Sequence, residues 1–189
     1  MTYNPLILSL VLVSLISTIF AMPFNTLMPV FQKDVLGVGP EGLGMLLAAP
    51  GLGAVFASFL LASLAKQLHH RGLILLGSLI LLGVFLIAFS QTNSLLLALL
   101  ALAGVGCFQM CFMNLSMTML QILVPDELRG RVLSIYFLDR GVMPAGALLA
   151  GIATSFVGAP TTVSLMGLAV ILLALLALWF VPQIRHAEI

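Results

Sequence analysis

Long apolar runs and short polar breaks alternate along the whole chain. Six runs occupy positions 5–31, 41–65, 72–90, 94–124, 131–157 and 160–181, separated by "QKDVLGVGP", "KQLHHR", "SQTNS", "PDELRGR" and "VGAP". Every break carries turn formers or charges. About 20 mostly apolar residues span the hydrocarbon as a helix, so each run predicts one transmembrane helix. The fourth run is long for a single span and predicts a tilted helix, or one that emerges into water. "MTYNP" has no Lys or Arg before the first run. That run is too long for a signal-peptide core and reads as a retained helix.

Polar positions distinguish the runs. The third has only Ser78 as an interior polar side chain and the sixth only Ser164, so both read as peripheral, lipid-facing helices. Runs one, four and five contain Asn25, Gln109, Asn114, Asp139 and Arg140. Such groups are costly in lipid and belong in a bundle interior or a wet cavity. These five are the candidate substrate and proton path. Asp139 lies eight residues beyond Arg131, roughly 12 Å deeper along a helix. As neighbours, Asp139 and Arg140 point about 100° apart and do not pair well with each other. Two readings stay open. Either both sit near one end of the helix with Arg140 snorkelling to water, or Asp139 takes up a proton and Arg140 holds an anionic group.

Small residues recur every four positions: Ala49, Gly53 and Ala57 in run two; Ala103, Cys107 and Cys111 in run four; Gly146 with Ala150, and Ala147 with Gly151, in run five. This spacing lets helix backbones approach closely, as fixed packing or as sliding surfaces. Pro23, Pro29, Pro50 and Pro144 fall inside runs, as static kinks or as flex points. Met110, Met113, Met117 and Met119 cluster in run four. They read as core or lipid contacts, or as a flexible oily surface for substrate.

Composition makes lipid the solvent. The 189 residues are 62% hydrophobic and 7% charged, with a mean hydropathy of +1.26. A soluble domain carries about a quarter charged residues. A net charge of +1 gives no electrostatic attraction to nucleic acid. The breaks also orient the chain. Lys66, Arg71, Arg129, Arg131 and Arg185 fall on one side of a six-span layout and only Lys33 on the other, so both ends are expected in the cytoplasm. Trp179 and Phe180 suit the interface there. No catalytic motif is present, no cofactor is implied, and His69 and His70 have no third metal ligand nearby.

Four of the thirteen Asp, Glu, Lys and Arg residues crowd into "PDELRGR": Asp126, Glu127, Arg129 and Arg131. As a cytoplasmic loop it places Pro125 at the start of a short helix with the acids at its positive end. Gly130 then turns the chain into the fifth run.

The loop and its flanks, "LVPDELRGRVLSIY", resemble the loop between helices ten and eleven of major facilitator superfamily transporters. "LGVGPEGLGMLLAAPGLGAVFAS" resembles the start of their eighth helix. "ASLAKQLHHRGLILLG" stands where a copy of the family's G-x-L-a-D-x-x-G-R-R signature falls. It matches at Leu64 and Arg71 and departs at Ala62, Lys66 and His69. The resemblance covers nearly the whole chain and is nearest to the bacterial efflux branch similar to the enterobactin exporter. It implies an all-α membrane protein: six transmembrane helices forming the second half of a twelve-helix bundle, built as a three-plus-three inverted repeat. It further implies a bacterial inner-membrane location, a small-molecule substrate, proton-coupled efflux, and a partner that is a second six-helix half or another copy of the chain. Asp126, Glu127, Arg129, Arg131 and Arg71 become a candidate cytoplasmic gate, the alternative being a plain positive-inside loop. The rival to a transporter is a non-transporting remnant or a membrane interaction subunit.

Overall fold

The computed structural model describes residues 5–64 and 71–180, all helix, turn or short connection with no strand among them. The "KQLHHR" break as far as His70, the N-terminal "MTYN" and the tail with Arg185 lie outside the described residues. Eight α-helices follow in order: α1 (Pro5–Ala21), α2 (Met28–Val30), α3 (Pro40–Leu64), α4 (Arg71–Ser90), α5 (Leu95–Leu123), α6 (Asp126–Leu138), α7 (Met143–Val157) and α8 (Ala159–Phe180).

The first run is not one continuous helix. α1 stops at Ala21 and gives way to a 3-10 turn, Pro23–Leu27, then α2 and a π turn, Phe31–Val35. Pro23 and Pro29 have no backbone N–H to continue the ladder. The Asn25 carbonyl, which Pro29 leaves without its helical donor, accepts from the Met28 N–H instead, and side chains add two further bonds at the break. The Met22 carbonyl accepts from the Asn25 side-chain amide at 3.3 Å, and Thr26 Oγ1 donates to the Pro23 carbonyl at 2.6 Å. Gly37, with φ 60°, closes the segment, and the Gln32 side-chain amide donates to the Val38 carbonyl.

The charged "PDELRGR" break also differs from expectation. Only Val124 and Pro125 connect α5 to α6. Asp126 and Glu127 form the first turn of α6, where the helix dipole favours them. The helix runs on through Gly130 without turning. The expected fifth span starting at position 131 is therefore α6, a 3-10 turn Asp139–Val142, and α7. Among the described residues, five helical stretches are long and apolar enough to cross a membrane: Ser9–Val35, Pro40–Ser63, Arg71–Ser90, Leu95–Leu123 and Ala159–Trp179. α7 is apolar but shorter.

The main packing runs α3 on α5, α5 on α4, and α4 on α8, with α1 and α7 set against α8 and each other. The expectation that run three is a peripheral, lipid-facing helix describes only one of its faces, where Leu73, Leu81 and Val84 are exposed. α4 lies between α5 and α8, and Leu75, Leu76, Leu82, Leu86 and Phe89 are buried there. Lipid tails are as apolar as leucine, so an oily helix has no preference for the outside. Close backbone contact decides instead. A Cβ on Gly83 would lie 2.6 Å from the Gly167 carbonyl oxygen, and one on Gly167 would lie 2.7 Å from the Gly83 oxygen. α8 does keep an outer face: Val163, Val170 and Ala174 are buried while Leu168, Leu172 and Trp179 are exposed. Its Ser164 hydroxyl pairs with Ser90 of α4 at 2.6 Å.

The small-residue stripes of runs two and four meet. A Cβ on Gly53 would overlap the Ala103 carbonyl, and one on Gly106 would overlap the Pro50 carbonyl. This seam joins α3 to α5 at backbone distance, where dispersion and polar contacts hold helices together in lipid.

Candidate functional site

The site grows out of the break in span one. Where α1 ends, Met22 turns its thioether toward α5, and Gln109 Nε2 donates to Met22 Sδ at 3.0 Å. On one side of this bridge a narrow, partly enclosed recess of about 30 Å³ reaches between α1, α4, α5 and α6. Its polar lining is Ser14, Ser17 and Thr18 of α1, Gln109 of α5 and Tyr136 of α6, with Leu79, Leu82, Phe112 and Met113 as the apolar wall. On the other side, a second, more open recess of about 230 Å³ lies between the α1 break, α3 and α5, lined by Met22, Pro50, Gly51, Ala54, Gly106, Gln109, Met110 and Met113. Met22, Gln109 and Met113 belong to both.

Local sequence explains the arrangement. Ser14, Ser17 and Thr18 are spaced i, i+3, i+4, so they share one face of α1. Ser17 Oγ donates to the Val13 carbonyl at 2.7 Å, which lets a hydroxyl sit in an apolar helix while an acceptor lone pair stays available. The two broken helices brace each other. The Pro23–Leu27 turn packs on α7, and the Asp139–Val142 turn packs on α1. Gly146 of α7 makes this possible, since a Cβ there would be 2.5 Å from the Ile19 carbonyl oxygen. A third cleft of about 160 Å³, almost wholly apolar, lies between α1, α7 and α8.

Of the candidate path residues, Gln109 lines the recess. Asn25 is half-buried and caps the end of α1 through the Met22 carbonyl. Asn114 is half-buried on α5, and neither it nor Asn25 is among the lining of the two recesses. Asp139 and Arg140 are in the 3-10 turn against α1; their side chains lie outside the described residues. Among the candidate gate residues, Asp126 and Glu127 are exposed and Arg71 is half-buried at the start of α4. The side chains of Arg129 and Arg131 lie outside the described residues. The methionine cluster divides: Met110 and Met113 face the recesses, while Met119 is core. Among the described residues no group of three or more His, Cys, Asp or Glu side chains is placed to hold a metal.

Sequence reading missed Ser14, Ser17, Thr18, Met22 and Tyr136. The i, i+3, i+4 hydroxyl stripe in "SLISTIFAM" was the available signal.

Residues 2–189 match the model of a major facilitator family described as transmembrane secretion effector. The chain is 28% identical over 148 residues to the staphyloferrin A transporter of Staphylococcus aureus, covering 78% of this chain and 37% of that protein. It is also 28% identical over 189 residues to the multidrug efflux pump Tap of Mycolicibacterium fortuitum, covering 99% of this chain and 45% of that protein. The chain thus spans less than half the length of either curated relative. A bundle of apolar helices with broken spans around a mixed polar and oily recess accords with that match, and the chain belongs to the transmembrane secretion effector family of major facilitator transporters.

Proposed function

We propose that the chain is half of a proton-coupled exporter of small, largely apolar organic molecules, set in the bacterial inner membrane with both ends in the cytoplasm. The observation that carries this reading is the recess itself. Neutral hydroxyl and amide groups line it together with methionine, leucine and phenylalanine. Small-molecule sites are built this way, with few polar groups fixing orientation over an apolar body. Thioethers adapt to varied shapes, which suits a pump of the multidrug kind named for one relative. Discontinuous membrane helices commonly frame transporter sites, and the recess lies at such a break. Asp139, in the second broken segment, is the proposed proton acceptor. The loop charge asymmetry supports the orientation, and the positive side carries the proposed gate of Arg71, Asp126, Glu127, Arg129 and Arg131.

Everted membrane vesicles, which present the cytoplasmic face outward, test the reading. An imposed proton gradient, acid inside, is expected to drive accumulation of a lipophilic fluorescent dye. Asp139→Asn should abolish the drive and leave dye counterflow largely intact. A tag fused to the C-terminus should be cleaved by added protease. Wild-type vesicles with no gradient-dependent uptake would overturn the exporter reading. Unchanged drive in Asp139→Asn would remove the proton role, and a protected tag would reverse the orientation.

A further inference from the structure

Ser116 of α5 is 1% exposed, and its hydroxyl has no hydrogen-bond partner. Other buried helix serines of this chain are satisfied one turn back: Ser17 on the Val13 carbonyl at 2.7 Å, Ser78 on Leu75 at 2.8 Å, and Ser90 on Ile87 at 2.6 Å. Buried polar groups are hydrogen-bonded as a rule, and an exception calls for a reason. Position supplies one. Gln109, Phe112, Met113 and Ser116 are spaced i, i+3, i+4, i+7, so Ser116 continues the face of α5 that lines the recess, about 10 Å beyond Gln109 along the helix. The Gln109–Met22 bond fixes the register of α5 against α1. Spans one and four, each followed by a return helix, run in opposite directions past that bond. Seven residues onward on α5 then corresponds to seven residues back on α1, which is the level of Ser14 and Leu15. Ser14 lines the recess. Phe112 and Met113 lie between Gln109 and Ser116 on that face of the helix. The thioether side chain is unbranched and changes rotamer readily.

We propose that Ser116 is the floor of the recess, closed over by Phe112 and Met113 until a substrate enters, and that its hydroxyl binds a hydrogen-bonding group on the inner end of the transported molecule. This deepens the export reading given above and rests on it. It makes the preferred substrate an amphipathic neutral molecule: an apolar body along Leu79, Leu82 and Phe112, with one hydroxyl or amide group at its leading end. A polar group kept unsatisfied in the empty site discriminates by what fills it. An analogue lacking the hydrogen-bonding group leaves the hydroxyl unpaired and is disfavoured, by the logic through which polar pockets reject deoxy analogues.

The test uses two dansyl dyes, one bearing a hydroxyl-tipped arm and the other a methyl in its place, in everted vesicles of the source cell with the chain expressed as wild type or S116A. Wild type is expected to take up the hydroxyl dye roughly 10-fold better at limiting concentration, the size of one hydrogen bond. S116A should lose that preference and handle the methyl dye like wild type. In detergent, S116A should melt at or above the wild-type temperature, since removing an unpaired buried hydroxyl relieves a cost, and the hydroxyl dye should raise the melting temperature of wild type more than that of S116A. S116A vesicles that keep the wild-type preference overturn the proposal and make the hydroxyl a seat for water only. A clear drop in S116A melting overturns it too, by assigning Ser116 a structural partner. Wild-type vesicles that transport neither dye, with no thermal shift from either, overturn the export reading together with this one.

Discussion

Gln109 is a side chain amide in the middle of a 29-residue apolar helix, and its partner is a thioether sulfur, a weak acceptor. Burying an amide without full compensation costs on the order of 1–3 kcal/mol, so this residue contributes little to stability. Its value lies in what it offers the two recesses it separates. Gln109→Leu keeps volume and removes the amide. Thermal unfolding should stay within about 1 kcal/mol of wild type, while dye transport should fall roughly 10-fold for loss of one hydrogen bond to substrate. Gln109→Leu vesicles pumping at the wild-type rate would exclude the amide from the site. Gln109 was legible from sequence because an amide stands out in an oily run. The Ser14, Ser17 and Thr18 stripe was present in the sequence but less conspicuous, because a small hydroxyl such as that of Ser17 can bond back to its own helix and sit in an apolar run. Asn25 drew attention for the same reason as Gln109, and the structure accounts for it differently, as the cap on a broken helix.

Among the elements, the readable feature was the seam and the unreadable one was the order of helices. Small residues at four-residue spacing pointed to close approach, and Gly53 and Gly106 are where α3 and α5 touch. No such sign showed that α4 is central, because burial against leucine and burial in lipid look alike in sequence. The proline positions were visible, yet their effect depended on position. Pro50 stays inside a continuous α3, whereas Pro23, Pro29 and Pro144 accompany helix breaks. A valine at Gly53 or Gly106 would meet backbone rather than a movable side chain. Each is expected to destabilise by roughly 1–3 kcal/mol or more, read as a lower melting temperature in detergent. Gly77→Ala, where an added Cβ meets nothing within 4 Å, should be neutral or stabilise by up to about 1 kcal/mol. Gly53→Val and Gly77→Ala melting alike would mean that the α3–α5 seam is not a tight contact.

For the whole molecule, the question is what covers the outer faces. α3 turns Leu52, Phe56 and Phe59 outward at 71%, 64% and 72% exposure, on the helix that also walls the second recess through Pro50, Gly51 and Ala54. Lipid satisfies apolar side chains, but it does not complete a polar path: the Gln109 recess has its hydroxyls and amide on α1, α5 and α6 of this chain alone. Relatives that transport are more than twice as long as the matched region. Alternating access by rocking needs two bodies moving about a site between them. A single bundle of these helices supplies one wall of such a site. We propose that it acts only against a second six-helix bundle, whether in the same polypeptide, in another copy or in a separate chain. Purified from its source in mild detergent, it is expected to come with a second bundle: joined to it in one polypeptide, as a dimer, or as a second membrane protein of similar size. Liposomes containing only monomeric chain, verified by single-molecule photobleaching, should show no gradient-driven dye uptake. Uptake by such monomers would mean that one bundle opens to each side of the membrane by itself, with the two broken helices, rather than two halves, providing the moving parts.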